Sequence, residues 1–476
     1  MKAIASALHN RVPAPAQAEA SPAPAESVDR TPAGPAARAA ARPGVLLIAY
    51  HYPPCGFSSG LQRTFCFSRD LRAFGWAPLV LTVHPRAFPQ TRTDQLAQIP
   101  ADVPVHAAFA LDTPRHLGIR GRYFGWMALP DNWVSWLPGA VASGLRMIRR
   151  YRPRVLWSTY PIASAHLVGL ALQRMTGIPW VADFRDPMTE EDPLTGQRFP
   201  DDPRLFRVRR WVERQTIRRA ARSVFVTPGS LEIHRQRYPQ FAGRMSVIGN
   251  GFDEETFAAA ERLVPRVAAP GGRLLLIHSG VLYPGPDRDP TAFFAALASL
   301  KAQGRVSGAT LHVRLRASGY DDYYRRKIQE HGIADIVTLD PATPYLDALA
   351  EMLAADGLLV FQGRTSNPAV PAKLYEYLRA RRPIFALVDA EGDTSAVLRR
   401  ARSGTQVPLD DPRKIEQGLV RFLEDVRRGA SPLPDPQDIA AHSRVVKARE
   451  LAALLGECVD AEAGAPAAAA ARGEET

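Results

Sequence analysis

Ser366-Asn-Pro-Ala-Val-Pro-Ala-Lys373-Leu-Tyr-Glu376-Tyr-Leu-Arg-Ala-Arg-Arg-Pro383-Ile-Phe-Ala-Leu387 reads as a proline-bearing loop, a short helix, a stop and an apolar strand. Pro383 has no amide hydrogen and disfavours helical geometry in the residue before it, so a helix over 372–380 ends there. Residues three apart share a helix face, so Lys373 and Glu376 project together from the first turn. Unpaired amides and the helix dipole favour an anion at such a terminus. A phosphate suits the amides and Lys373, and sugar hydroxyls suit the carboxylate beside it, which is the chemistry of a nucleotide-sugar. A plain surface helix with an i,i+3 salt bridge would show the same spacing.

On both sides of this stretch the pattern alternates between short apolar runs and helical periodicity. Strands are expected at 274–278, 310–316, 337–339, 357–361 and 384–388, separated by helices, with further helices closing the chain. An earlier series starts at Val45-Leu-Leu-Ile-Ala-Tyr50 and includes strands at 78–83, 155–159, 180–183, 223–227 and 245–248. Two alternating series in 476 residues predict two doubly wound α/β domains. The expected boundaries are a disordered tail over 1–43, a Rossmann-like domain over 44–250 and a linker over 251–272. A second Rossmann-like domain follows over 273–435, then a helix over 436–458 and a disordered tail over 459–476.

Composition narrows the function. A net charge of +12 points to anionic partners: phosphorylated substrates, acidic lipid or nucleic acid. No recognisable nucleic-acid-binding fold accompanies the charge, so nucleic acid is not expected. The basic stretch Arg204–Arg222, with Leu205, Val208 and Trp211 interleaved, suits a helix attracted to an anionic membrane surface, or a solvated arginine-rich face. Cys55, Cys66 and Cys458 form no CxxC pair, which argues against a structural zinc site or a disulfide scaffold and fits a reducing cytoplasm. No stretch of 18 apolar residues predicts a membrane-spanning helix. Three of the seven tryptophans sit in 121–138, either as a loop filling its own small core or as a membrane or acceptor-lipid contact.

Open α/β sheets bind ligands beyond the carboxyl ends of their strands, which selects the candidate site residues. After the first strand, Gly56-Phe-Ser-Ser-Gly60 with Gln62 and Arg63 is an acceptor-side candidate, or simply a tight turn. Asp183-Phe-Arg185-Asp186 closes another strand and supplies the catalytic candidates, for orienting a substrate hydroxyl or for bridging loops. His166, on the helix after 155–159, is a further acceptor-side candidate, although a lone helical histidine is more commonly structural. In the second domain Ser279 and Gly280 offer backbone amides, and Arg288 can neutralise a diphosphate. Asp287-Arg-Asp289 has the DxD spacing of a divalent-metal element but directly precedes a helix at Pro290, where acids act as caps; no metal site is expected.

Six segments in order resemble the GT-B glycosyltransferases of family 4, the group that includes bacterial polysaccharide enzymes. They are Tyr52-Pro-Pro with Gly56 and Gly60-Leu-Gln-Arg63; Phe74-Gly-Trp76; Gly177-Ile-Pro-Trp-Val-Ala-Asp-Phe-Arg-Asp-Pro187; Ile248-Gly-Asn-Gly-Phe-Asp253; His278-Ser-Gly-Val-Leu-Tyr-Pro-Gly285; and Val370-Pro-Ala-Lys-Leu-Tyr-Glu-Tyr377. The resemblance implies two Rossmann-like doubly wound domains facing across a cleft, with the acceptor on the first and the nucleotide-sugar donor on the second. It implies that Glu376 holds the donor ribose, that Lys373 and Arg288 lie by the diphosphate, and that Thr343 and Tyr345 contact the base. It implies that the last helix crosses back to the first domain.

The activity implied is that of a hexosyltransferase-type enzyme using a UDP- or GDP-sugar, without metal or cofactor and with retention of configuration. Its acceptor would be a saccharide or lipid-linked, in the cytoplasm or on the inner face of the cytoplasmic membrane, in exopolysaccharide or lipopolysaccharide synthesis. Two departures stand out: Pro368 occupies the first glutamate position of the family's E-x7-E motif, and Ser158-Thr-Tyr160 stands where many members have a histidine. A nucleotide-sugar 2-epimerase of the same fold and a non-catalytic sugar-nucleotide-binding scaffold subunit are the alternatives.

Overall fold

The computed structural model describes residues 42–56, 60–93, 95–120, 122–191, 196–264 and 272–470. Contacts divide the chain into two units, one built on residues 42–249 together with the helix that begins at Arg444, the other over Asn250–Ser443. In the first unit the strands are β1 (Gly44–Ile48), β2 (Ala77–Val83), β3 (Val105–Ala108), β4 (Val155–Thr159), β5 (Trp180–Arg185), the short pair β6 (Glu190–Glu191) and β7 (Arg198–Phe199), β8 (Arg222–Phe225) and β9 (Met245–Val247). Its helices are α1 (Leu61–Asp70), α2 (Trp136–Tyr151), α3 (Ala163–Thr176), α4 (Pro203–Arg219) and α5 (Pro228–Arg237).

The second unit carries α6 (Glu254–Glu261), α7 (Thr291–Ala302), α8 (Asp321–Glu330), α9 (Tyr345–Ala354), α10 (Lys373–Ala380), α11 (Asp393–Arg400), α12 (Pro412–Arg428) and α13 (Pro436–Ala440). Its strands are β10 (Leu274–Ser279), β11 (Leu311–Arg316), β12 (Val337–Asp340), β13 (Gly357–Gln362), β14 (Ile384–Val388) and β15 (Thr405–Val407). Helix α14 (Arg444–Ala470) returns to the first unit.

The seven-stranded sheet runs β3-β2-β1-β4-β5-β8-β9 and the six-stranded sheet β12-β11-β10-β13-β14-β15. Every pairing in both is parallel. Each order reads 3-2-1-4-5 outward from its first strand, the doubly wound Rossmann arrangement, so the fold is the α/β pair of Rossmann-like units that the sequence predicts. The order reverses between β1 and β4, and again between β10 and β13, the places beyond whose strand ends such sheets bind ligands.

Why the second sheet is covered on both faces can be read residue by residue. Along β14, Phe385 and Leu387 join the core shared with α7 and α12, while Ile384, Ala386 and Val388 join the core shared with α6, α9 and α10. Along β13, Leu359 and Phe361 go to the first core, and Leu358 and Val360 to the second. Successive strand residues face opposite sides, so a continuous apolar run fills two cores at once, as a buried parallel strand must.

Several expected boundaries change. The linker over 251–272 contains α6, whose Phe257 and Ala260 are buried in the second unit with Phe252; residues 265–271 lie outside the described residues. The helix expected over 436–458 is broken at 441–443, where the His442 carbonyl accepts from the Phe252 amide at 3.2 Å. Only the part after the break packs on the first unit, through Ala448, Leu451 and Leu455. Helix α14 then runs through 459–470, the stretch expected to be a disordered tail; those residues are alanine-rich, and alanine is the strongest helix former. Of the other tail, residues 1–41 lie outside the described residues, as do 471–476. Strands β3 and β15 and helix α5 were not anticipated.

Candidate functional site

The second unit assembles its candidate residues at the β10/β13 switch point. Strand β10 ends on His278 and Ser279, and Gly280 turns the chain with φ of +117°, a region that L side chains rarely adopt. A Cβ there would come within 2.6 Å of the Lys373 Nζ, so Gly280 also leaves room for that ammonium. Lys373 Nζ donates to His278 Nε2 at 3.2 Å, and the other ring nitrogen, Nδ1, donates to the Leu359 carbonyl at 2.9 Å. The carbonyl can only accept, which places the ring proton on Nδ1 and leaves Nε2 free to receive the lysine. Burial and the neighbouring Lys373 hold the His278 pKa well below its usual value, so the ring is a neutral acceptor. Burial pulls the Lys373 ammonium down to about 7, with the Arg288 cation adding to the shift and the Glu376 carboxylate opposing it.

Two loops close around this pair. Arg288 lies 3.3 Å from the Asp287 carboxylate and stacks over the Tyr283 ring at 5.5 Å. Asp289 caps α7 by accepting from the Thr291 amide at 3.0 Å, and its other oxygen accepts from the Gly285 amide and the Tyr323 hydroxyl. Capping is thus its role here, and among the described residues no group of three His, Cys, Asp or Glu side chains could hold a metal ion. Gly363, just past β13, meets this loop so closely that a Cβ would overlap the Pro286 carbonyl. The loop through Pro368 is fastened by Gln362, whose Nε2 donates to the Ala369 carbonyl at 2.9 Å while its Oε1 accepts from Thr394 at 2.6 Å.

Helix α10 begins at Lys373, and its first turn carries Glu376, 9% exposed, whose Oε1 accepts from the Tyr345 hydroxyl at 2.7 Å. The helix ends where Arg381 turns left-handed ahead of Pro383. Tyr377, one turn after Lys373, accepts the Ser279 amide at 3.0 Å and so ties α10 to β10.

The structure therefore joins Gly280, Arg288 and Lys373 in one place, and Tyr345 and Glu376 beside it. It changes one expected role: the Ser279 amide is taken by Tyr377 and the Gly280 amide by the Arg316 carbonyl at 2.8 Å, so neither is aimed at a ligand. Thr343 is half-buried in the loop before α9 and joins none of these contacts. Sequence reading passed over His278 and Tyr377 as site residues. The signal for His278 was a polar side chain ending the apolar run Leu274-Leu-Leu-Ile277.

In the first unit most of the candidates turn out to be walled in. Arg63 grips Asp183 with two parallel hydrogen bonds of 2.9 and 2.8 Å, at 6% and 0% exposure. Asp183 also accepts from Thr159 at 2.8 Å, and Arg63 donates to the carbonyls of Ile248 and Gly249. Asp183 and Arg63 thus have no face left for substrate; they position the ends of β5 and β9. Arg185 sits past a bulge with φ of +56° and donates to the Gly60 carbonyl at 2.9 Å, pinning the start of α1.

His166 is fully buried among Trp180 and Phe184, and its Nδ1 pairs with Ser158 Oγ at 2.7 Å. Burial pushes its pKa down to about 3, so it is a neutral core residue and not an acceptor contact. Gly56 packs against Thr91 and Arg92 because a Cβ would crowd them; residues 57–59 lie outside the described residues. Gln62 is half-buried, and Asp186, beyond the bulge, is the exposed member of the catalytic candidates.

The sequence model of the glycosyl transferase 4-like domain matches residues 61–251. No curated protein sequence matches the chain. Among solved structures, α,α-trehalose 6-phosphate synthase from Burkholderia multivorans is similar over 90% of this chain and 98% of its own, at 11% identity and a TM-score of 0.59. The Anabaena HepE protein, solved with UDP and glucose, is similar over 89% of this chain and 99% of its own, at 14% identity and a TM-score of 0.52. UDP-GlcNAc 2-epimerase from Neisseria meningitidis, bound to UDP-GlcNAc, is similar over 87% of this chain and 100% of its own, at 12% identity and a TM-score of 0.51. At such identities the likeness is one of fold.

Proposed function

We infer that this protein, whose residues 61–251 match the glycosyl transferase 4-like domain, is a glycosyltransferase of GT-B fold moving a sugar from a nucleotide-sugar to a saccharide or lipid-linked acceptor. The observation that carries the reading is the meeting of Lys373, Gly280 and Arg288 at the β10/β13 switch point, with the Glu376 carboxylate in the same helical turn as the lysine. In glycosyl transfer from such a donor the nucleoside diphosphate leaves with growing negative charge, and fixed cations at that point lower the barrier. Lys373 and Arg288 would hold the diphosphate, supplying the neutralisation that a divalent metal supplies elsewhere.

Glu376 would accept from the ribose hydroxyls alongside the Tyr345 hydroxyl that already meets its Oε1. The Tyr345 ring would contact the base of a UDP- or GDP-sugar. Asp186, exposed just past β5, would meet an acceptor hydroxyl. Retention of configuration completes the proposal. A lipid-linked acceptor would bring the protein to the inner face of the cytoplasmic membrane, where no spanning helix is needed; among the described residues no helix is long and apolar enough to cross.

Calorimetric titration with UDP-, GDP- and ADP-sugars tests the donor assignment. Glu376→Ala is expected to weaken binding of the preferred donor about 10- to 100-fold, the loss of about 1.5–3 kcal/mol for hydrogen bonds to a charged group. Binding as tight as wild type would remove Glu376 from the ribose. Turnover of the donor alone to a second nucleotide-sugar would favour the epimerase reading, and donor binding with no turnover on any acceptor the scaffold reading.

A further inference from the structure

We propose that α4 and the loop before α2 form one aromatic and basic surface that docks on a membrane of anionic lipid. Helix α4 buries Phe206, Val212 and Ile217, and exposes Arg204, Arg207, Trp211, Arg214 and Arg218. The exposed positions step by three and four, so they form a single stripe. The helix's one carboxylate, Glu213, is fully buried and held by Arg237 at 2.8 Å and Tyr238 at 2.9 Å. The stripe therefore presents four cations and a half-exposed tryptophan with no acid among them, on a helix capped at its start by Asp202.

The loop adds the apolar half. Ile119, Phe124 and Trp126 are 80%, 71% and 70% exposed, and Phe124 stacks on Trp126 at 6.4 Å with the rings 18° apart. Exposed Arg120 and Arg122 flank them. Rings so far from any core gain nothing in water, whereas the lipid interface takes an aromatic body and a cationic tip together. The remainder of the same aromatic segment does pack inward: Trp136 is fully buried and Trp133 lies 5.1 Å from the Tyr50 ring. The loop meets the helix at Leu129, which lines an open cavity of about 380 Å³ with Arg204, Arg207, Val208 and Trp211. Leu129, Val208 and Trp211 give that cavity an apolar wall beside two guanidinium groups, which suits the glycerol and upper acyl region of an anionic lipid. The surface is independent of the donor-site reading, since it involves none of those residues.

Flotation with vesicles of phosphatidylglycerol and phosphatidylcholine, against phosphatidylcholine alone, tests the proposal. The full-length protein is expected to float with the anionic vesicles at low salt and less so at high salt, as screening shortens the reach of the charges. Replacing Arg204, Arg207, Arg214 and Arg218 by Gln should cut partitioning by about fivefold per arginine, which is the usual ~1 kcal/mol for each basic residue at such a surface. Phe124→Ser with Trp126→Ser should abolish the part of the binding that survives high salt. Both variants change exposed side chains, so unchanged melting and unchanged donor titration confirm that fold and donor site are intact. The proposal is overturned if wild type ignores anionic vesicles, if both variants float like wild type, or if single-stranded oligonucleotide binds the surface and displaces the vesicles.

Discussion

Lys373→Met is expected to lower turnover by about a hundred- to a thousandfold, the usual loss when one fixed group stabilising a developing charge is removed. It should also flatten the pH dependence of donor binding. In the free protein Lys373 titrates at about 7, because burial and Arg288 disfavour its charge. A diphosphate beside it would raise that pKa, so donor binding above neutrality must take up a proton. The sign follows by linkage: donor affinity is level below about pH 7 and weakens as pH rises through it, by up to about tenfold per unit. The groups facing the ammonium do not compete for this proton. His278 stays neutral with its pKa held down, and Tyr377 is held protonated by burial.

Calorimetry in two buffers of unlike ionisation heat, from about pH 6 to about pH 9, reads the uptake directly. A wild type that binds equally well across this range, or a Lys373→Met variant that keeps the slope, would remove Lys373 from the diphosphate. Stability should move the other way. The folded pKa lies below the ordinary 10.5, so the unfolded chain holds more protons between the two values and the burial cost fades as pH rises between them. The melting temperature of Lys373→Met should therefore stand highest relative to wild type near pH 6 and fall back toward it in alkali.

What could be read from the sequence was whatever depends on neighbours along the chain. The apolar run Ile384 to Val388 reads as a strand, and the spacing of Lys373 and Glu376 is a helical one; both survive folding unchanged. The roles of Arg63, Asp183 and His166 could not be read this way. Asp183 ends a strand as a catalytic acid would, but its partner lies 120 residues earlier, and only the assembled sheet brings the guanidinium onto it. His166 looked available because its helix follows a strand end; tertiary packing decided which face of α3 turned inward. Strands β3 and β15 are too short to show a period, and the alanine-rich stretch after 458 carries no apolar periodicity to mark where α14 ends.

The buried ion pair yields the second large effect. Asp183→Ala is expected to destabilise the first unit by about 3–5 kcal/mol, because it strands the Arg63 guanidinium in the interior. The cost arises from the charge left behind, so Arg63→Leu combined with Asp183→Leu should recover a substantial part of it. Arg63 also donates to the Ile248 and Gly249 carbonyls, which will lose those bonds in the double variant, so recovery is expected to be incomplete. Thermal and urea unfolding of Asp183→Ala and of the double variant measure this, and turnover measured alongside separates two roles that the sequence alone could not. If Asp183 positions β5, lost activity will track lost stability, and Asp186→Asn, on the exposed side of the bulge, will reduce turnover with melting unchanged. Asp183→Asn that melts like wild type yet has no activity would reverse the assignment, returning Asp183 to the chemistry and leaving Asp186 as a surface acid.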